Sequence, residues 1–227
     1  MTTTVPTLVE AVAIDGPASS GKSTLAREVA KRLGYAFVDT GSLYRAVALA
    51  LDRAGAGESP EDDPRLVAAL AACSVALDPT PSGVRVFLSG EEVTPLLREE
   101  RLGRIASRVS AFPAVRQALF GLQRSLAAAG RIVMDGRDIG TVILPEARLK
   151  IFLVADPEIR ALRRQKDLEA RGDRRSLETI LADILDRDRR DRERLLSPLV
   201  PAPDALHLDT SRLTIDEAVT WIVDHYR

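Results

Sequence analysis

The stretch Gly16-Pro17-Ala18-Ser19-Ser20-Gly21-Lys22-Ser23-Thr24 leaves the chain around it few options. It fits the pattern G-x-x-x-x-G-K-[ST]. Bare glycine backbone lets successive N–H groups turn into one concavity, the geometry that cradles phosphate oxygens. Lys22 has the length and charge to meet β- and γ-phosphates, and the Ser23 hydroxyl suits Mg²⁺. Such a loop requires a strand before it and a helix after it, because the helix N-terminus adds its own attraction for anions. Both are legible. Glu10–Ile14 is a short, largely apolar run leading to Asp15. Beyond the loop, Leu25, Val29 and Leu33 recur at helical spacing beside Ala26 and Ala30, and Gly34 stands at a C-cap position.

The same alternation continues. Strand candidates are Glu10–Ile14, Tyr35–Val38, Ile132–Met134, Leu149–Val154 and Ala205–Leu208. Helix candidates are Lys22–Leu33, Ser42–Ala54, Leu102–Ala128, Pro157–Lys166, Leu177–Leu195 and Thr214–His225, the last opened by Thr214 with Glu217 three residues on. Strands interleaved with helices predict an α/β fold on a parallel sheet. Two segments break the rhythm. Residues 73–97 read as an antiparallel hairpin about a Pro79-Thr80-Pro81-Ser82-Gly83 turn, and Gly172-Asp173-Arg174-Arg175 as a polar loop between helices. The run from Glu58 to Pro64 reads as a solvated charged linker. Cys73 is the single cysteine, so no intrachain disulfide is available, and after its alanine-rich helical stretch it reads as a small apolar residue.

A phosphate loop implies a nucleotide but not a reaction. The guanine-reading N/T-K-x-D pattern of GTPases is not found in the chain. Three further clusters bear on the second substrate. Asp39-Thr40-Gly41-Ser42-Leu43-Tyr44-Arg45 follows the second strand candidate, with Arg45 placed to meet an anion. Arg131 to Thr141 contains a strand that delivers Asp135 to its carboxyl end, with Arg137 and Asp138 in the following turn. Ligands of open α/β sheets sit at that edge, and Asp135 there can hold Mg²⁺ directly or through water. Lastly, in Arg187-Asp188-Arg189-Arg190-Asp191-Arg192-Glu193-Arg194, positions 187, 190, 191 and 194 share one helical face. Taken alone, that helix reads first as a solvated surface laced with ion pairs.

Together these segments resemble the bacterial cytidylate kinases, within the nucleoside monophosphate kinase family. The resemblance spans roughly residues 10 to 225 and is carried by Ala13-Ile14-Asp15-Gly16-Pro17 with the loop, Asp39 to Arg45, Val93-Thr94, Ala106-Ser107, Phe112-Pro113-Ala114-Val115-Arg116, Asp135 to Thr141, and Arg187 to Asp191 running to Pro198-Leu199. It implies one catalytic domain of the P-loop NTPase fold, with a parallel five-stranded sheet flanked by helices. The core would comprise 8–57, 98–162 and 177–227, with a monophosphate-binding insert at about 58–97 and a lid at about 163–176. By the same resemblance, Gly16, Pro17, Ala18, Ser19, Ser20, Gly21, Lys22, Ser23 and Thr24 bind ATP phosphates. Arg45, Arg137 and Arg194 hold the phosphate of CMP. Ser107, Arg116 and Asp138 read cytosine, and Asp191 with Arg187 meets the sugar. Thr40 stands where many relatives have Ser, which keeps the hydroxyl. Lys22, Arg137, Arg187 and Arg194 are the implied catalytic set, and Ser23 and Asp135 the implied Mg²⁺ ligands.

The implied reaction is transfer of the ATP γ-phosphate to CMP or dCMP. The acceptor phosphate is already ionised at neutral pH, so no general base is needed, and none is evident. Arginines suit the task because their planar forks bind phosphate bidentately. Competing readings are a kinase for AMP, dTMP or shikimate, a nucleotide sensor without catalysis, and an RNA-binding helix. A net charge of −1 and the lack of interleaved aromatics speak against RNA. No apolar run approaches a membrane span and Met1–Pro6 lacks the marks of a signal peptide, so a cytoplasmic location is expected, and no long amphipathic seam marks an obligate dimer, so a monomer is expected, with no nucleic-acid or membrane partner. His207 and His225 lack metal-ligand spacing, Trp221 reads as core, and Asp15 either joins the Mg²⁺ shell or orients the loop.

Overall fold

The computed structural model describes residues 8–80 and 83–226. In chain order these form β1 (Val9–Asp15), α1 (Lys22–Leu33), β2 (Ala36–Asp39), α2 (Thr40–Arg53), α3 (Pro64–Ala72), β3 (Val75–Thr80), β4 (Gly83–Leu88), β5 (Glu91–Glu92) and α4 (Glu100–Val109). Then come α5 (Pro113–Ala127), β6 (Ile132–Gly136), β7 (Ala147–Val154), α6 (Pro157–Glu169), α7 (Leu177–Glu193), β8 (Leu206–Asp209) and α8 (Ile215–Tyr226). They divide into two compact units, one ending at Ala36 and resuming at Gly130, the other Phe37–Ala129.

The main sheet is five-stranded and parallel, in the order β2-β6-β1-β7-β8, which matches the expected architecture, and its strands β6, β1, β7 and β8 lie in the first unit. Its centre is dry. Ala11, Val12, Ala13 and Ile14 of β1 are fully buried, as a central parallel strand covered on both faces requires. Register aligns the carboxyl ends: Asp15 pairs with Gly136 of β6 and Phe152 of β7. That row is the edge where functional groups collect. Helix α1 buries Leu25, Ala26, Val29 and Ala30 and stops at Gly34, whose φ of 69° is left-handed. Helix α8 opens on a reciprocal cap. Thr214 N donates to Glu217 Oε2 at 2.8 Å, and Glu217 N donates to Thr214 Oγ1 at 3.3 Å.

The second unit is built around α2. One side packs Leu43, Val47 and Leu51 with Leu66, Ile105, Val109, Val115 and Leu119. Ala46 and Leu49 pack with Val86, Leu88, Val93, Leu97 and Leu102 beside the second sheet, ordered β3-β4-β5. The expected hairpin is present with a short third strand added, while Pro81 and Ser82 of its turn lie outside the described residues, as does the Met1–Pro6 segment.

The structure corrects several expectations. The span Leu102–Ala128 is two helices, because Pro113 forces Phe112 into extended backbone (ψ 125°) and restarts the helix. The Glu58–Pro64 run is largely exposed, as expected of a solvated linker, but it is also tied down. Asp63 caps α3 by accepting from Arg65 N at 2.8 Å, Glu61 accepts from Ala114 N at 3.0 Å, and Arg108 Nη1 donates to Ser59 O at 2.8 Å. Trp221 is half-buried, not core, and stacks on His225 with ring centroids 3.9 Å apart.

Candidate active site

The phosphate loop runs from the end of β1 into α1. Two glycines shape it for different reasons. At Gly16, φ is 153° and an added Cβ would lie 2.6 Å from Leu153 O, so strand β7 leaves no room for a side chain. At Gly21, the helix cap, φ is 85° in open space, so the constraint there is conformational. Lys22 folds back over its own loop. Its Nζ donates to Pro17 O at 2.5 Å and to Ser20 Oγ at 3.3 Å. Burial holds the Lys22 ammonium well below its ordinary pKa; Arg137 and Arg187 push the same way, against Asp135 and Asp191.

Ser23 connects loop to sheet. Its Oγ donates to Asp135 Oδ2 at 2.7 Å, and Asp135 is buried at the end of β6. A hydroxyl and a carboxylate this close are hard oxygen donors of the kind Mg²⁺ takes, one or two from protein and the rest from phosphates and water. Asp15 belongs elsewhere. Both its oxygens are occupied at 2.8 Å, Oδ1 by Ile139 N and Oδ2 by Gly140 N. It thereby fixes the short π-turn Ile139–Ile143 that follows β6. Burial raises its pKa to about 6 despite those two bonds.

Arg137 leaves the same strand end and meets α7. Its Nε donates to Asp191 Oδ2 at 2.8 Å. Burial pushes the Asp191 pKa up, but Arg137, Arg187 and Arg194 outweigh it and the net shift is downward, so the carboxylate stays ionised. Arg194 caps α7, donates Nε to Ser197 O at 2.7 Å, and places Nη2 3.8 Å from Asp138 Oδ1. The expected Arg-rich face therefore sorts itself. Arg187, Asp191 and Arg194 turn inward, whereas Arg190 stays on the exposed side and pairs with Asp186 at 3.0 Å. Within this unit the structure gathers the loop, Asp135, Arg137, Asp138, Arg187, Asp191 and Arg194 around the carboxyl edge of the sheet.

Thr40, Arg45, Ser107 and Arg116 belong to the second unit. Thr40 is buried in the first turn of α2. Arg45, on the same helix, lies 3.9 Å from Asp39 Oδ2. Ser107 is buried on α4. Arg116 on α5 donates Nη1 to Ser110 O at 3.2 Å and sits 5.9 Å from the centroid of the Tyr44 ring.

Two residues escaped the sequence reading. Arg160 of α6 and Asp188 of α7 are only 1% and 2% exposed and form an ion pair at 2.6 Å. Both reach Ala18 in the loop. An Asp within an Arg-rich run gave no signal, and Arg160 lies 28 positions from its partner, so only the fold shows the pair.

The family described as Cytidylate kinase matches residues 12–227. A cytidylate kinase of Bordetella bronchiseptica is 46% identical over 95% of this chain and 94% of its own length. One from Ligilactobacillus salivarius is 49% identical over 94% of each, and one from Pelotomaculum thermopropionicum 47% over 93% of each. Among solved structures, an uncharacterized protein from Eubacterium ventriosum superposes with a TM-score of 0.52 at 12% identity, covering 95% of this chain and 97% of that one, a likeness of fold alone. Among the described residues no helix is long and apolar enough to cross a membrane.

Proposed function

The chain belongs to the cytidylate kinase family, and from that membership we propose that it transfers the γ-phosphate of ATP to CMP or dCMP, giving ADP and the nucleoside diphosphate. The observation that supports this best is the link from loop to arginines. Ser23 bonds Asp135 at 2.7 Å, and two residues on Arg137 bonds Asp191 at 2.8 Å. A donor-phosphate cradle and an anion-binding arginine set thus share one sheet edge.

In this reading the loop amides and Lys22 hold the β- and γ-phosphates, Lys22 exchanging its contacts with Pro17 and Ser20 for phosphate oxygens. Arg137, Arg187 and Arg194 balance charge on the transferring group, and Arg137 and Arg194, with Arg45, bind the acceptor phosphate. Asp191 holds Arg137 in its rotamer and, with Arg187, meets the sugar. Ser23 and Asp135 would hold Mg²⁺, which when bound neutralises phosphate oxygens and draws donor and acceptor into line. Asp138, Ser107 and Arg116 read the base, and Thr40 keeps a hydroxyl near the acceptor. The lid at about 163–176, with Gly172 beside charged residues, excludes water that would otherwise hydrolyse ATP. Such an enzyme serves pyrimidine nucleotide metabolism in the cytoplasm and acts as a monomer.

Base choice follows from polarity. Cytosine presents an amine that the Asp138 carboxylate can accept from; uracil presents a carbonyl there, which a carboxylate repels. An assay of ADP release against a panel of nucleoside monophosphates tests this. CMP and dCMP should support turnover well above UMP, AMP and dTMP. No CMP-dependent ADP release, or a kcat/KM for UMP equal to that for CMP, overturns the reading.

A further inference from the structure

A fully buried ion pair outside the proposed reacting groups calls for an account. Arg160 and Asp188 join α6 to α7 at 2.6 Å. Such pairs are seldom retained for stability, since apolar residues of similar volume do as well or better. What distinguishes this pair is where its remaining hydrogen bonds go. Arg160 Nη1 donates to Ala18 O at 2.9 Å, and Asp188 Oδ1 accepts from Ala18 N at 3.3 Å. Arg160 Nε is anchored on Ala155 O at 3.0 Å, just past β7. Both peptide groups of one loop residue are therefore gripped, one by each member of the pair.

We propose that Arg160 and Asp188 are positioning residues that set the phosphate loop for ATP, with Arg160 also neutralising a carboxylate that would otherwise face the triphosphate. The proposal rests on the ATP assignment above. Turning the Ala18 N–H toward Asp188 leaves the later loop amides to face the ligand. Asp188 lies one helical turn before Asp191, which holds Arg137. Helix α7 therefore fixes the donor loop and an acceptor arginine from a single rigid element, and a small shift of either would cost transfer heavily.

The test uses three proteins: the parent, Arg160→Met/Asp188→Leu, and Arg160→Lys. The double variant removes both charges together, so it avoids an unpaired buried ion. ATP and CMP affinities are measured by calorimetry beside the KM for each substrate and the melting temperature. Expected are a melting temperature close to the parent's, CMP affinity within about twofold, and ATP affinity lower by about tenfold or more. Arg160→Lys keeps the pair's charge but cannot span both Ala18 O and Ala155 O, so its ATP affinity should fall less. A folded double variant with parental ATP affinity overturns the proposal, as does equal loss of ATP and CMP. Should the double variant not fold, Arg160→Lys decides, and parental ATP affinity in that variant overturns it. A parent that binds no ATP overturns the donor assignment itself, which separates that failure from this one.

Discussion

At Asp15, burial and hydrogen bonding pull in opposite directions. Two amides at 2.8 Å favour the carboxylate, yet desolvation wins and its pKa rises from 3.8 to about 6. The folded state thus binds this proton more tightly than the unfolded chain. Asp15 adds stability below pH 4 that is lost as pH rises through about 6. The change amounts to roughly 3 kcal/mol at about 1.4 per unit. Asp15→Asn cannot titrate, so urea unfolding of parent and variant should diverge by an amount that shifts with pH between 4 and 6; a constant difference would show the shift to be absent. The sequence left Asp15 open between Mg²⁺ ligand and loop support, because its partners are backbone amides 124 and 125 positions away. Arg137 is the residue on which transfer should depend most. Arg137→Ala should lower kcat about a thousandfold or more for every acceptor, while Asp138→Ala should chiefly narrow the gap between CMP and UMP. If Arg137→Ala spares one acceptor in rate measurements, its role is recognition of the others rather than charge stabilisation.

Among the elements, the strand–loop–helix around Gly16 is the most constrained. A Cβ there meets Leu153 O at 2.6 Å, backbone that cannot swing aside, at a φ unfavourable to side chains. Gly16→Ala should cost about 1–3 kcal/mol by overpacking, and it should weaken ATP binding because the first turn of the loop must move. Parental stability in denaturant melts would mean that β7 yields. Local rules read this segment well. Lys22–Leu33 carries its own periodicity and its own stop at Gly34, and the structure returns those bounds. Where a boundary depends on one dipeptide amid strong periodicity, periodicity misleads. The apolar spacing over Leu102–Ala128 runs through Phe112-Pro113, and the two helices it conceals bury their faces on one shared cluster. Helix α7 shows the same limit on its faces. Arg190 and Asp191 are neighbours in sequence, but Arg190 ends in an exposed pair and the buried Asp191 in a pair with the half-buried Arg137, a choice made by packing.

At the scale of the whole molecule, alternation of strands and helices made the parallel sheet legible, but the order β2-β6-β1-β7-β8 was not. It places β6 beside β1 although 116 residues separate Asp15 from Ile132, and no local signal records such a pairing. The consequence is that distant segments meet at one edge, so ligand binding and folding stability are linked through it. Any ligand that binds only the folded state stabilises it by about 2.7 kcal/mol at a hundred times its Kd. For a chain of this size, that raises the melting temperature by roughly 5–10 °C. Lys22 allows the donor share to be removed alone. It is 6% exposed, and burial disfavours its charge, so Lys22→Met trades a desolvated ammonium for an apolar side chain of similar length. The unliganded variant should therefore melt no lower than the parent. Its ATP-dependent rise should largely vanish, while the rise with CMP persists, because Arg137, Asp191 and Arg194 are untouched. Thermal melts with ATP, CMP or neither decide the matter: a full ATP-dependent rise in Lys22→Met would mean that the triphosphate is held elsewhere than on this loop.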